Sequence, residues 1–142
     1  NCTSYANGGN GFNMVGNNSG LINCLSVNSS GWGFSHTGSP LRLAHCAGHN
    51  NTSGNVTAPT ATHYNLNFVT LTADPFVNAG SGNFALNNTA GGGAALRALA
   101  LPATFPAGLT AHYLDIGAAQ HQDSGSGGGI MAGRNWTGGY NG

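Results

Sequence analysis

Three cysteines, Cys2, Cys24 and Cys46, recur at a constant interval of 22 residues. Thiols at fixed spacing suggest either metal ligation or disulfide formation. The interval matches none of the short C-x-x-C spacings from which zinc sites are built. If the three residues stack on neighbouring strands, their Cα atoms fall within the range of about 4.4–6.8 Å that disulfides use. Parallel side chains are nevertheless a poor geometry for a bridge. The preferred reading is a column of buried thiols acting as small hydrophobes, with a disulfide as the alternative.

The other reactive groups are sparse. His45 and His49 lie four apart, and on an extended strand they face one side about 13 Å from each other. A shared metal would need a turn to fold them together, so neither metal nor cofactor is expected. The carboxylates are Asp74, Asp115 and Asp123. Hydrolysis of a sugar needs two carboxylates at a defined separation, and a calcium-assisted lyase needs several oxygen ligands and a nearby base. Residues 1–72 contain no Asp, Glu or Lys, and Arg42 is their one formal charge. No catalytic residue is therefore expected. Tyr5, Trp32 and His49 are the candidate ligand-binding residues, as flat side chains on which a sugar ring can stack.

The elements that position these groups are announced by the same interval. Phe12 and Phe34 are 22 apart, with Val56 at the next step. Tyr5, Val27, His49 and Leu71 form a column. So do the small residues Ser4, Ser26, Gly48 and Thr70, and the apolar Ile22, Ala44 and Leu66. Asn1, Asn23 and Asn67 share a column in which His45 takes the third row, and Phe68 stands where a fourth Cys would fall. A fixed period is the mark of a repeat architecture. The L-x-x-L-x-L pattern of leucine-rich repeats is missing, and strong helix formers are scarce over residues 1–72.

One coil of a parallel β-helix fits this unit, with short strands joined by turns. Coils would then lie about 4.8 Å apart, the strand spacing of a sheet. Cys2, Cys24 and Cys46 would form one structural ladder, and Asn1, Asn23 and Asn67 another, with side-chain amides bonding along the axis. Asn and Gly at the corners tolerate the left-handed backbone of a sharp turn. Period-2 alternation in the stretch 22–26 predicts Ile22, Cys24 and Ser26 inside, with Asn23 and Leu25 outside.

Composition excludes several partners. Charged residues make up 4 % of the 142-residue chain, with 3 Lys+Arg balanced by 3 Asp+Glu, where about 25 % is ordinary. Phosphate binding needs clustered cations, so nucleic acid is excluded, as is a polybasic membrane surface. No run of 18 apolar residues is present, which excludes a membrane-inserted helix. The chain opens on a repeat unit, without an initiator Met or a signal-peptide pattern, as expected of a segment of a longer protein or a processed product.

Residues 74–120 leave the 22-residue period. They carry Asp74-Pro75-Phe76-Val77, then Gly82-Asn83-Phe84-Ala85-Leu86, and finally Asp115-Ile116-Gly117-Ala118. This arrangement resembles the last coils of right-handed parallel β-helix proteins of the pectate-lyase-like superfamily. Asn83 stands where those proteins commonly have Asp. The resemblance implies the architecture and a closing segment, and says little about activity. The run "AALRALAL", 94–101, favours a short helix stopped by Pro102, which would cover an end of the stack. The tail is rich in Gly and Ser, with Ile130, Met131, Trp136 and Tyr140 as apolar points for docking.

These readings predict an all-β chain: a right-handed parallel β-helix with coils over 1–73, a last coil and cap over 74–120, and a Gly-rich tail over 121–142. The expected function is a non-catalytic structural or adhesive module of an extracellular or virion fibre, spike or surface protein. Expected partners are further copies, as a trimer or end-to-end stack, and carbohydrate. The alternatives are a fragment of a pectate-lyase-like carbohydrate-active enzyme and a self-assembling filament subunit.

Overall fold

The computed structural model describes residues 1–38, 40–57, 63–97, 99–101 and 115–119, with backbone alone for His63 and Tyr64. The first row of strands is β1 (Cys2–Tyr5), β2 (Phe12–Val15) and β3 (Ser19–Ile22). The second row is β4 (Cys24–Val27), β5 (Trp32–Thr37) and β6 (Leu41–Ala44), and the third is β7 (Ala47–His49), β8 (Gly54–Val56) and β9 (His63–Leu66). β10 (Val69–Thr70) begins a fourth, and β11 (Phe76–Asn78) and β12 (Asn83–Leu86) follow. The chain is all-β, with three parallel sheets in the orders β1-β4-β7-β10, β2-β5-β8 and β3-β6-β9. β11 and β12 pair antiparallel.

Partners in the parallel sheets are 22 residues apart. Cys2 faces Cys24, Phe12 faces Phe34, Leu21 faces Leu43 and Val69 faces Ala47. Like therefore lies beside like, and the columns of the sequence become ladders.

Sharp corners between the sheets rest on left-handed residues. Asn23, His45 and Asn67 precede successive strands of the first sheet with φ of 54°, 50° and 53°. Ala6, Asn28 and Asn50 follow its strands with φ of 51°, 57° and 48°. Asn is suited to this conformation because its short polar side chain bonds locally. Asn50 Nδ2 donates to Asn28 Oδ1 at 2.9 Å, an amide ladder along the stack. Ala6 has no such compensation. Ala6→Asn is expected to stabilise the chain by about 1 kcal/mol, because it removes left-handed strain and extends the ladder toward Asn28. A rise in the urea midpoint at constant slope is the check; an unchanged or lower midpoint counts against it.

Two apolar cores result. The inner one joins side chains from all three parallel sheets: Cys24, Phe34, Leu41, Leu43 and Cys46 are buried, with Phe12, Met14, Leu21, Val56 and Phe68 packed on them. The Phe12 and Phe34 rings stack at 5.1 Å and 11°, and Phe68 meets Phe34 edge-on at 5.7 Å. The outer core lies on the other face of the first sheet, where Leu25, Val27 and Ala47 are covered by Leu71, Phe76, Leu86, Leu96 and Ile116.

This second core corrects the alternation expected over 22–26. Cys24 and Ser26 do face inward, but Ile22 is 53 % exposed. The left-handed turn at Asn23 breaks the period of two between β3 and β4. Leu25 and Asn23 lie on the outer side and are nonetheless buried, because the C-terminal segments lie over them.

The predicted helix over 94–101 is also absent from its described residues. A 3-10 turn spans Gly93–Leu96, and Arg97 is extended at ψ 136°. Tertiary contacts outweigh local propensity here. Leu96 is driven into the outer core, and the Leu101 backbone is bonded by the Asn23 side chain at both N–H and C=O, at 2.8 and 2.9 Å. The closing residues brace the flank of the first sheet: the Gly117 N–H donates to Asn23 O at 3.0 Å and the Ala118 N–H to Thr3 Oγ1 at 2.9 Å. The tail at 121–142 lies outside the described residues.

Candidate functional site

The cysteine column is held by register. Cys2 pairs with Cys24, and Cys46 continues the column one row further, beside the Leu25–Ala47 pair. All three are free thiols; Cys24 and Cys46 are buried and Cys2 is exposed. The exposure of Cys2 departs from the expected column of buried thiols. The Cys24 S–H donates to Ile22 O at 3.2 Å, and Cys46 Sγ lies 3.5 Å from both Leu21 O and Ala44 O. A hydrogen bond from Cys46 holds the Cys24 thiol below its usual range against the opposing effect of burial, with Cys2 adding to the lowering. The same bond, followed by burial, pushes the Cys46 thiol up. The first proton therefore leaves this pair more readily than the second.

The residues singled out for ligand binding are not brought to one place. Tyr5 ends β1 on the outer face, where its ring meets Phe76 at 5.8 Å and Phe84 at 5.3 Å, both edge-on. It lines a groove of about 250 Å³ with Thr3, Phe84, Ala118 and Ala119. His49 stands in the same column two rows on, its Nδ1 3.3 Å from Leu71 O. Trp32 opens β5 in a different sheet. Its ring covers Gly54, where a Cβ would come within 2.8 Å of the indole.

Of the Asn column, Asn67 Nδ2 donates to His45 Nε2 at 3.2 Å, and His45 Nδ1 bonds Leu99 O. That pattern selects the tautomer with its proton on Nδ1. Asn23 spends its amide on Leu101, so the expected ladder is broken at its second row. Asn1 bonds Ile22 O through its terminal amine at 3.2 Å.

Two polar hubs emerge that the column analysis left unnamed. Asn51 Oδ1 accepts from Ser29 N at 3.0 Å and Ser26 Oγ at 3.2 Å, while its Nδ2 donates to Ser26 O at 3.2 Å and Asn55 Oδ1 at 3.0 Å. Space for this hub comes from glycine. A Cβ on Gly33 would meet Asn51 Nδ2 at 2.6 Å, and one on Gly48 would meet Asn55 Oδ1 at 2.5 Å. The columns Asn7/Ser29/Asn51 and Gly11/Gly33/Asn55 carry this signal in the sequence. The second hub is Asn87, whose amide binds Asp74 O, Phe76 O, Thr89 N and Gly93 N at 2.7–3.0 Å.

One carboxylate serves a turn. Asp74 Oδ1 accepts the Phe76 N–H at 2.8 Å, an Asx turn entering β11. Asp115 is buried beside Ile116 in the closing segment, and Asp123 lies outside the described residues. Among the described residues no three His, Cys, Asp or Glu side chains converge on one point. Comparison with protein-family models, with curated proteins and with solved structures finds no match to this chain.

Proposed function

We propose that the chain is a right-handed parallel β-helix of 22-residue coils serving as a non-catalytic structural and adhesive module of an extracellular or virion fibre, spike or surface protein. The observation that carries this reading is the 22-residue register shared by three parallel sheets, with side chains from all three meeting in one apolar interior. Handedness follows from the connection rule: a strand that returns to its own parallel sheet after a crossover does so right-handed in about 98 % of cases.

Such a stack is a stiff rod held by backbone hydrogen bonds, and its coil region, residues 1–72, carries no Asp, Glu or Lys. Association of copies, as a trimer or an end-to-end stack, belongs to the same proposal. Carbohydrate is the ligand class favoured by the Tyr5–Phe84 groove, an open aromatic surface beside the Thr3 hydroxyl.

A glycan array run beside reducing-end assays on acidic and neutral polysaccharides tests this reading. Binding without cleavage is expected, weakened about tenfold by Tyr5→Ala, the scale of one lost aromatic contact. Release of new reducing ends or unsaturated uronates by the purified chain would overturn the non-catalytic assignment.

A further inference from the structure

We propose that the cysteine column is a binding site for a soft, two-coordinate monovalent cation, Cu(I) or Ag(I), held between the sulfurs of Cys24 and Cys46. The geometry that makes a disulfide awkward favours this bridge. The two side chains enter the interior in parallel from adjacent rows, so their spacing follows the strand separation of about 4.8 Å. A sulfur–sulfur bond needs about 2.05 Å. A linear sulfur–metal–sulfur unit, with bonds near the roughly 2.3 Å that zinc–thiolate bonds show, spans about 4.6 Å. Tetrahedral zinc is not served, because its ligands must converge and here they stand in a line.

The surroundings select the same class of ion. Cys24 and Cys46 share their core with Phe34, Leu41 and Leu43, and the Met14 thioether packs on it. Hard cations need several oxygen ligands, whereas thiolates select soft ions such as Cu(I). The binding step is a proton exchange: one cation and two thiols give a bis-thiolate complex and two free protons, with no change of oxidation state. The complex carries one negative charge. The Cys2 thiol, in register beside Cys24, is placed to stabilise it.

The test is native mass spectrometry of the reduced, folded chain titrated with Ag(I). One silver retained with the loss of two protons is expected. Cys24→Ser and Cys46→Ser should each weaken retention about 100-fold or more, since even outer-layer changes at metal sites cost about 10–100-fold. Cys2→Ser should leave the stoichiometry intact. X-ray absorption of the Cu(I)-loaded wild-type chain decides the matter if a serine variant fails to fold. Two sulfur neighbours at a single distance support the site. A nitrogen or oxygen shell, retention by the urea-unfolded chain alone, or binding that survives both serine variants would overturn it.

Discussion

Phe34→Ala is expected to destabilise the chain by about 3–5 kcal/mol, the usual cost of removing a fully buried aromatic ring. Phe34 is 0 % exposed and sits between the rings of Phe12 and Phe68. Its loss leaves a cavity walled by Leu41, Leu43 and the thiols of Cys24 and Cys46. The neighbouring rows are fixed by ladder hydrogen bonds on both sides of β5, so collapse around the hole is limited. At roughly 3 °C per kcal/mol for a chain of this size, the thermal midpoint should fall by about 10 °C or more. Val15→Ala is the control: at 77 % exposure it should change stability by less than about 0.5 kcal/mol. A Phe34→Ala variant that melts like Val15→Ala would mean the ring is not in a closed core.

Asn51→Leu carries the second large effect, through unmade hydrogen bonds. The leucine has similar bulk but satisfies none of the groups that Asn51 binds. The Ser29 N–H, the Ser26 hydroxyl and carbonyl, and Asn55 Oδ1 all lose a partner. Ser26 and Ser29 are each 0 % exposed, so water does not readily replace the amide. Each orphaned buried group costs about 1–3 kcal/mol, and several together give about 3–5 kcal/mol. The hub is packed closely against Gly33 and Gly48, where even a Cβ would meet the Asn51 and Asn55 amides. Chemical denaturation reads the loss as a lower midpoint at constant slope. Adding Ser29→Ala to the leucine variant should recover little, because the orphan is its backbone N–H. Full recovery would move the cost to the Ser29 hydroxyl and contradict this account.

The parallel all-β character was legible because in-register pairing sets like residues side by side. Cys2 against Cys24 and Phe12 against Phe34 are visible as intervals before any coordinate is known. The left-handed corners at Asn23, Asn28, Asn50 and Asn67 were legible for a local reason, the tolerance of Asn for positive φ.

What escaped sequence analysis depends on contacts distant in the chain. Leu25 was assigned outward to solvent, and it is buried because Leu96 and Ile116 return to cover it. Asn23 was assigned to a ladder, and its amide is claimed by Leu101, 78 residues later. The stretch 94–101 has helical composition, yet the Leu96 carbonyl accepts from the Ile116 N–H and the Leu101 backbone is bonded by the Asn23 side chain at a strand corner. Of the candidate site, the thiol column was visible as spacing, but the exposure of Cys2 at its end was not. Trp32 and Tyr5 fell together as aromatics, and only the sheet order separates them.

The central claim is that residues 22 apart lie directly beside one another on parallel strands. Backbone and side-chain nuclear Overhauser contacts in the isotope-labelled chain test it without reference to function. Cross-peaks between the rings of Phe12 and Phe34, and between the side-chain amides of Asn28 and Asn50, are expected together with ladder contacts from Cys24 to both Cys2 and Cys46. Contacts at a different sequence interval, or antiparallel contacts between the same strands, would contradict the account.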